Sequence, residues 1–158
     1  MVLAAVISGF GAAYPHATAG AAPKLTLTAT VDGRPIPLVD VAKYYCDDFA
    51  FPVITCSSNA AQIEARVSAL LSVTAVDYVT IYDQALYGGA WMNVSQDYTA
   101  LSFIGWNDRI SSFKARNGEG GRFWTDWFYT GTYWSFCCNQ QSASLGGYDN
   151  TFSSIVRT

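Results

Sequence analysis

Two short stretches carry nearly the same set of oxygen-bearing side chains. GWNDRISSFK (105–114) and GYDNTFSSIV (147–156) each run Gly, aromatic, two Asx residues, two variable positions, then Ser-Ser. Carboxylate, carboxamide and hydroxyl oxygens are hard ligands that suit Ca²⁺, which takes roughly six to eight of them at about 2.3–2.6 Å. One such turn cannot fill that shell. Two related turns brought together could serve two sites, with backbone carbonyls and water completing each. The competing use of the same residues is local, because Asx and Ser side chains also satisfy the amides of their own turns. A single copy favours that local use; the pair favours metal binding.

Little else in the chain offers chemistry. Of 158 residues, 51% are hydrophobic and 13% charged, which argues against disorder and for a packed core. The net charge of −3 and the lack of any Lys/Arg cluster disfavour nucleic acid as a partner. The single histidine is His16, and Cys46, Cys56, Cys137 and Cys138 show no CxxC spacing, so neither a His-based triad nor a zinc site is supported. Glu64 and Glu119 stand apart from the oxygen clusters, and no carboxylate pair is singled out for glycoside cleavage. The expectation is a protein that is not an enzyme.

The two oxygen clusters must be positioned by something, and the chain supplies a repeat to do it. A shift of 42 residues, without a gap, lays Tyr82 on Trp124, Tyr87 on Tyr129, Gly89 on Gly131 and Gly105 on Gly147. It also lays Asn107 on Asp149, Asp108 on Asn150, Ser111 on Ser153 and Ser112 on Ser154. The repeats span about 77–116 and 119–158, each read as four short strands. Each opens with aromatic-x4-aromatic-x-Gly, YDQALYGG and WTDWFYTG, which predicts a folded hairpin whose Gly takes positive φ or leaves no room for a Cβ. The aromatic pair is read as structural, stacked across that hairpin.

Residues 23–76 form an extension of different character. KLTLTATV (24–31) alternates as a strand and meets a turn at Asp32-Gly33. The segment from Val39 to Cys56 is aromatic and interrupted by Pro, and is expected to be irregular and held by a disulfide. A helix is expected over 59–72, opened by Asn59 and Gln62, with Ile63, Val67, Leu70 and Leu71 on one face. The first residues, 1–22, resemble a signal peptide: Val2 to Ala13 is a short apolar run, too short for a membrane span. Small residues at Ala17-Thr18-Ala19 or Ala19-Gly20-Ala21 suit cleavage. Against this, no Lys or Arg precedes Lys24, so a retained apolar tail is the alternative. Four cysteines in a secreted chain predict two disulfides; Cys46–Cys56 closing a local loop is favoured, a bond between adjacent Cys137 and Cys138 would be strained, and links from both to the N-terminal loop are the alternative.

The hairpin signature and the Asx-Asx-x-x-Ser-Ser turn together resemble the βγ-crystallin superfamily over residues 77–158, and the Gly-Trp-Asn-Asp-Arg-x-Ser-Ser turn is similar to the exported bacterial branch that includes actinobacterial metalloproteinase inhibitors. The resemblance implies a mainly β fold of two Greek-key motifs with an N-terminal α+β extension. It implies two Ca²⁺ sites that exchange ligands between motifs. One would use the Ser111 hydroxyl, the Arg109 carbonyl, the Asn150 side chain and a carbonyl near Asp83. The other would use the Ser153 hydroxyl, the Thr151 carbonyl, the Asp108 side chain and a carbonyl near Thr125. Asn107 and Asp149 would hold the loops in shape.

The reading is therefore a secreted, calcium-stabilised structural or interaction module. A proteinase inhibitor acting on an extracellular protease through an exposed loop is the first alternative. A glycan- or cell-wall-binding module is the second, with Trp127 and Trp134 as stacking candidates. Self-assembly through the 24–31 strand is a further option for the extension.

Overall fold

A computed structural model describes residues 26–158. The expected leader at 1–22, His16 and the first two residues of the expected 24–31 strand lie outside the described residues. Among the described residues no helix is long and apolar enough to cross a membrane.

The fold is mainly β. The described residues form eleven strands, β1 (Thr28–Val31), β2 (Arg34–Ile36), β3 (Tyr45–Ala50), β4 (Val53–Ser57), β5 (Tyr78–Gln84), β6 (Gly88–Val94), β7 (Ser112–Arg116), β8 (Gly121–Asp126), β9 (Thr130–Phe136), β10 (Gln141–Ser142) and β11 (Ser154–Arg157), and one α-helix, α1 (Ala60–Leu71). They form an eight-stranded sheet ordered β10-β7-β5-β6-β3-β4-β1-β2 and a three-stranded sheet ordered β11-β8-β9. β5, β6 and β7 of the first repeat occupy the same mutual places as β8, β9 and β11 of the second. Each repeat then reaches across to the other's sheet. β10 joins the first sheet beside β7, and Tyr98 bridges Ile155 at the edge of the second. This exchange is the Greek-key crossing that the resemblance implies.

The core lies between the sheets. Alternation along each strand sends Val79, Ile81, Met92, Val94, Phe113, Phe123 and Ile155 inward, and Phe152 joins them from the turn before β11, all fully buried. Phe123 sits at its centre, with ring centroids 4.7–5.3 Å from Phe113, Phe136 and Phe152.

Sequence reasoning left open how the extension attaches. β3 pairs in parallel with β6, aligning Tyr45, Cys46 and Asp47 with Trp91, Met92 and Asn93, so the extension widens the first sheet. Its inward residues Ala29, Cys46, Ile54 and Cys56 join the same buried cluster as the repeats. β1 lies between β2 and β4, which leaves it no free edge for pairing with a second chain. The helix begins where expected: the Asn59 side chain accepts a hydrogen bond from the Ala61 amide as N-cap. It lies on the outer face of the widened sheet, where Ile63 and Val67 meet Tyr82 and Trp91. Arg66 of α1 reaches Asp47 of β3, with Nε 3.1 Å from a carboxylate oxygen that is off hydrogen-bond geometry.

Two expectations are corrected. The 39–56 segment is a 3-10 turn (Leu38–Lys43) followed by a β3–β4 hairpin, paired from Tyr45 to Asp47 and again at Ala50 across a register shift, rather than an irregular segment throughout. Its strand pattern was hidden because Asp47 and Asp48 occupy fully buried positions that an apolar residue ordinarily marks. Cys46 and Cys56 do form a disulfide, but the second expected disulfide is absent. Cys137 and Cys138 carry free, exposed thiols at the turn after β9, with their only possible described partners already bonded to each other in the core.

Candidate metal centre

The folded hairpins set the geometry. In each repeat the first strand runs into a 3-10 turn, Ala85–Tyr87 or Trp127–Tyr129, with two consecutive left-handed residues: Leu86 and Tyr87 at φ 58° and 63°, Phe128 and Tyr129 at 57° and 62°. The glycines that follow are required. Gly89 and Gly131 have φ of +73° and +81°, and a Cβ would lie 1.8 Å from Asp83 Oδ1 or 2.4 Å from Thr125 Oγ1. Tyr82 and Tyr87 stack edge to face at 5.6 Å, as expected, whereas Trp124 stacks on Tyr133 at 4.7 Å.

The second serine of each Ser-Ser latches the hairpin of its own repeat. Ser112 Oγ accepts from the Tyr87 amide at 3.1 Å and donates to the Gln84 carbonyl at 2.7 Å. Ser154 Oγ accepts from the Tyr129 amide at 3.1 Å and donates to the Asp126 carbonyl at 2.6 Å. Both serines are fully buried. Sequence reasoning gave them no task, although their recurrence 42 residues apart was the signal.

The first serine points toward the other repeat. Ser111 Oγ lies 3.1 Å from Asn150 Oδ1 and 3.3 Å from the Asp83 carbonyl. Ser153 Oγ lies 3.4 Å from Asp108 Oδ1. Backbone bonds fasten the two turns to each other, from the Asn150 amide to the Ile110 carbonyl at 3.1 Å and from the Asp108 amide to the Phe152 carbonyl at 3.0 Å. Asp108 and Asn150 both adopt left-handed φ, 53° and 56°, a conformation in which Asx residues are enriched. Ladder pairing shifts register between Tyr82 and Gln84 and again between Trp124 and Asp126, so Asp83 and Thr125 stand outside the ladder. The carbonyls of Arg109 and Thr151 accept no hydrogen bond among the described residues. Of the residues proposed from sequence as ligands, the structure brings Ser111, Asn150 and the Asp83 carbonyl together in one group and Ser153 and Asp108 in another, each group drawing on both turns.

The supporting pair behaves unequally. Asn107 Nδ2 donates to Asp108 Oδ2 at 2.6 Å, and its Oδ1 accepts from Trp127 Nε1 at 3.0 Å, which ties the first turn to the second hairpin. Asp149 only accepts from Asn150 Nδ2, at 3.3 Å.

Charge separates the two groups. Beside Ser111, the Asp83 carboxylate is engaged by Arg109 at 2.9 Å, leaving the neutral Asn150. Beside Ser153 lies an open cavity of about 380 Å³ lined by Asp126, Trp127, Phe128 and Thr130, and Asp108 faces the same serine. Asp126 was not foreseen as part of this site. No group of three or more His, Cys, Asp or Glu side chains converges among the described residues, so each group rests mainly on neutral oxygens. These fit a calcium shell, in which oxygens at 2.3–2.6 Å from the ion stand roughly 3–3.7 Å from one another, matching the 3.1–3.4 Å separations found.

No protein-family model matches the sequence, and no curated protein matches it. Solved structures do. A structure from work on the evolution of the eye-lens βγ-crystallin domain fold superposes at a TM-score of 0.50 with 20% identity, over 54% of this chain and 88% of the other. The chain carries a βγ-crystallin fold. An archaeal βγ-crystallin aligns at 26% identity over 53% of this chain and all of its own, with a TM-score of 0.47. A βγ-crystallin from Ciona intestinalis aligns at 19% identity over 51% of this chain and 99% of its own, also at 0.47. Within the βγ-crystallin fold, the oxygen groups sit where the paired turns of the two Greek keys meet.

Proposed function

We propose that the paired turns form a two-site calcium clamp, and that the protein is a secreted structural or interaction module stapled by the ion. The observation that carries this reading is reciprocal. Ser111 approaches Asn150 of the other turn at 3.1 Å, and Ser153 approaches Asp108 at 3.4 Å, so each group is completed only by both repeats. Ser111, Asn150 and the Arg109 and Asp83 carbonyls hold one ion; Ser153, Asp108 and the Thr151 and Thr125 carbonyls hold the other. Bound Ca²⁺ supplies a central charge that replaces weak hydroxyl contacts at 3.1–3.4 Å with direct coordination.

With one carboxylate at most facing each serine, affinity falls on the order of 10⁻⁶ to 10⁻⁴ M. Extracellular calcium then keeps the sites filled, and the Cys46–Cys56 disulfide suits the same oxidising compartment. An ion bound only by the folded state adds about 2.7 kcal/mol of stability at a hundredfold excess over Kd. The test is a thermal melt with excess Ca²⁺ and with chelator. With both sites filled at that excess the gain is about 5 kcal/mol, and a rise of roughly 10–20 °C with Ca²⁺ is expected for a domain of this size. Superimposable melts would mean that the turns only satisfy themselves.

A further inference from the structure

The face of the first sheet that points away from the core is incompletely covered by α1. Val67, Ser68, Leu71 and Glu64 of the helix overhang Tyr78, Thr80 and Tyr82 of β5, Trp91 and Asn93 of β6, and Arg116 of β7, and a cavity of about 220 Å³ remains between them. An ordinary helix-on-sheet contact is filled by aliphatic side chains. This one has a polar floor: Thr80 and Asn93 face each other across the β5–β6 ladder and are nearly buried. Thr80 Oγ1 donates to Asn93 Oδ1 at 2.8 Å, which leaves the Asn93 amide nitrogen without a hydrogen-bond partner among the described residues. Three aromatic rings wall the floor. Glu64 and Arg116 stand at the rim, one from the helix and one from the sheet, and neither enters an ion pair among the described residues.

We infer that this groove binds a single neutral pyranose ring, the terminal unit of a glycan. A sugar presents two apolar C–H faces and an equatorial belt of hydroxyls. Tyr78, Tyr82 and Trp91, each about nine-tenths buried, supply with Val67 and Leu71 the apolar part of the lining that one C–H face would meet. The Asn93 amide, the Glu64 carboxylate and the Arg116 guanidinium offer donors and acceptors for the belt. The rim charges are opposite and cancel, which favours a neutral ligand over an anion. The volume holds one ring and excludes a nucleotide, and a wholly apolar guest would leave the Asn93 amide unsatisfied. The groove exists because α1 lies on the outer face of a sheet that β3 has widened, so the site belongs to the junction of extension and repeats.

The test titrates the full chain, observed by heteronuclear NMR, with methyl glycosides of glucose, galactose, mannose and N-acetylglucosamine, and with glucuronate as the acidic comparison, each to ~50 mM. That ceiling lies well above the ~1 mM dissociation constant of a ligand binding with about 4 kcal/mol. Saturable shifts with at least one neutral glycoside, centred on Trp91, Asn93 and α1, are expected. Ser68 is exposed at the groove mouth, so Ser68→Trp should fill it and weaken binding at least tenfold while leaving the melting temperature unchanged. Glu64→Ala, also on the exposed helix face, should weaken it severalfold. No saturable binding of any neutral glycoside, binding of glucuronate alone, or binding indifferent to Ser68→Trp would each overturn the assignment.

Discussion

Asp48→Asn should stabilise this protein at neutral pH and do nothing for it in acid. Asp48 lies in β3, fully buried, and binds the segment that crosses between the sheets: its Oδ1 accepts from the Ser95 amide and Ser95 Oγ, both at 2.6 Å, and its Oδ2 accepts from the Tyr98 hydroxyl at 3.0 Å. Burial opposes the charge more strongly than these bonds and the nearby Arg157 support it, and the pKa is pushed up to about 6. A carboxyl whose folded pKa is raised contributes stability that is fully present below its unfolded pKa and is lost as pH rises through the folded value. Between pH 3.8 and about 6 that loss amounts to about 3 kcal/mol, at roughly 1.4 kcal/mol per pH unit.

Asn keeps the shape and loses the charge. Its carbonyl oxygen can accept both Ser95 bonds while its amide donates to the Tyr98 hydroxyl oxygen. The stability of Asp48→Asn relative to the natural protein should therefore rise by about 3 kcal/mol between about pH 4 and pH 7, close to 10 °C in melting temperature. Comparing the two proteins at each pH cancels other groups, including Asp32, whose pKa is lowered by hydrogen bonds from Ser57 and Ser58 and which shifts stability the opposite way. Chemical denaturation across this range is the assay. A difference that stays flat with pH, or a variant that loses ground at neutral pH, would refute the argument that Asp48 is held as a costly buried charge.

Three further outcomes test the rest of the structure. Asp108→Asn should weaken the tighter of two Ca²⁺ steps by calorimetry, and Asn150→Asp should strengthen the other, because ligand charge tunes affinity; an unchanged tighter step in Asp108→Asn would remove the assigned asymmetry. Ser154→Ala should cost about 1–3 kcal/mol in denaturant, since it strands the Tyr129 amide and the Asp126 carbonyl, and Ser112→Ala should cost a similar amount through Tyr87 and Gln84. Reducing Cys46–Cys56, which closes a loop of sequence separation 10, should cost about 3 kcal/mol, whereas blocking Cys137 and Cys138 with a thiol reagent should leave the melt unchanged.

Much of this protein could be read without coordinates, because a duplicated unit writes its constraints twice. Gly89 and Gly131 recur because two hairpins need left-handed backbone with no Cβ, and Ser111 and Ser153 recur because two turns face each other. Periodicity likewise marked α1 and its Asn59 cap, both local features. The extension was harder. Buried Asp47 and Asp48 masked the β3 pattern, and the partner of a parallel strand is chosen by distant residues.

What the sequence determined by itself was therefore local or duplicated: the repeat, its hairpins, the paired oxygen turns and one capped helix. What only the tertiary structure decided was every choice of partner across distance. Pairing β3 with β6 made one sheet of extension and repeat, assigned Asp48 to Ser95 and Tyr98, and laid α1 over a polar-floored groove. The reason is physical. Turn and helix signals depend on neighbours a few residues away, whereas strand pairing and burial are settled by the whole core at once.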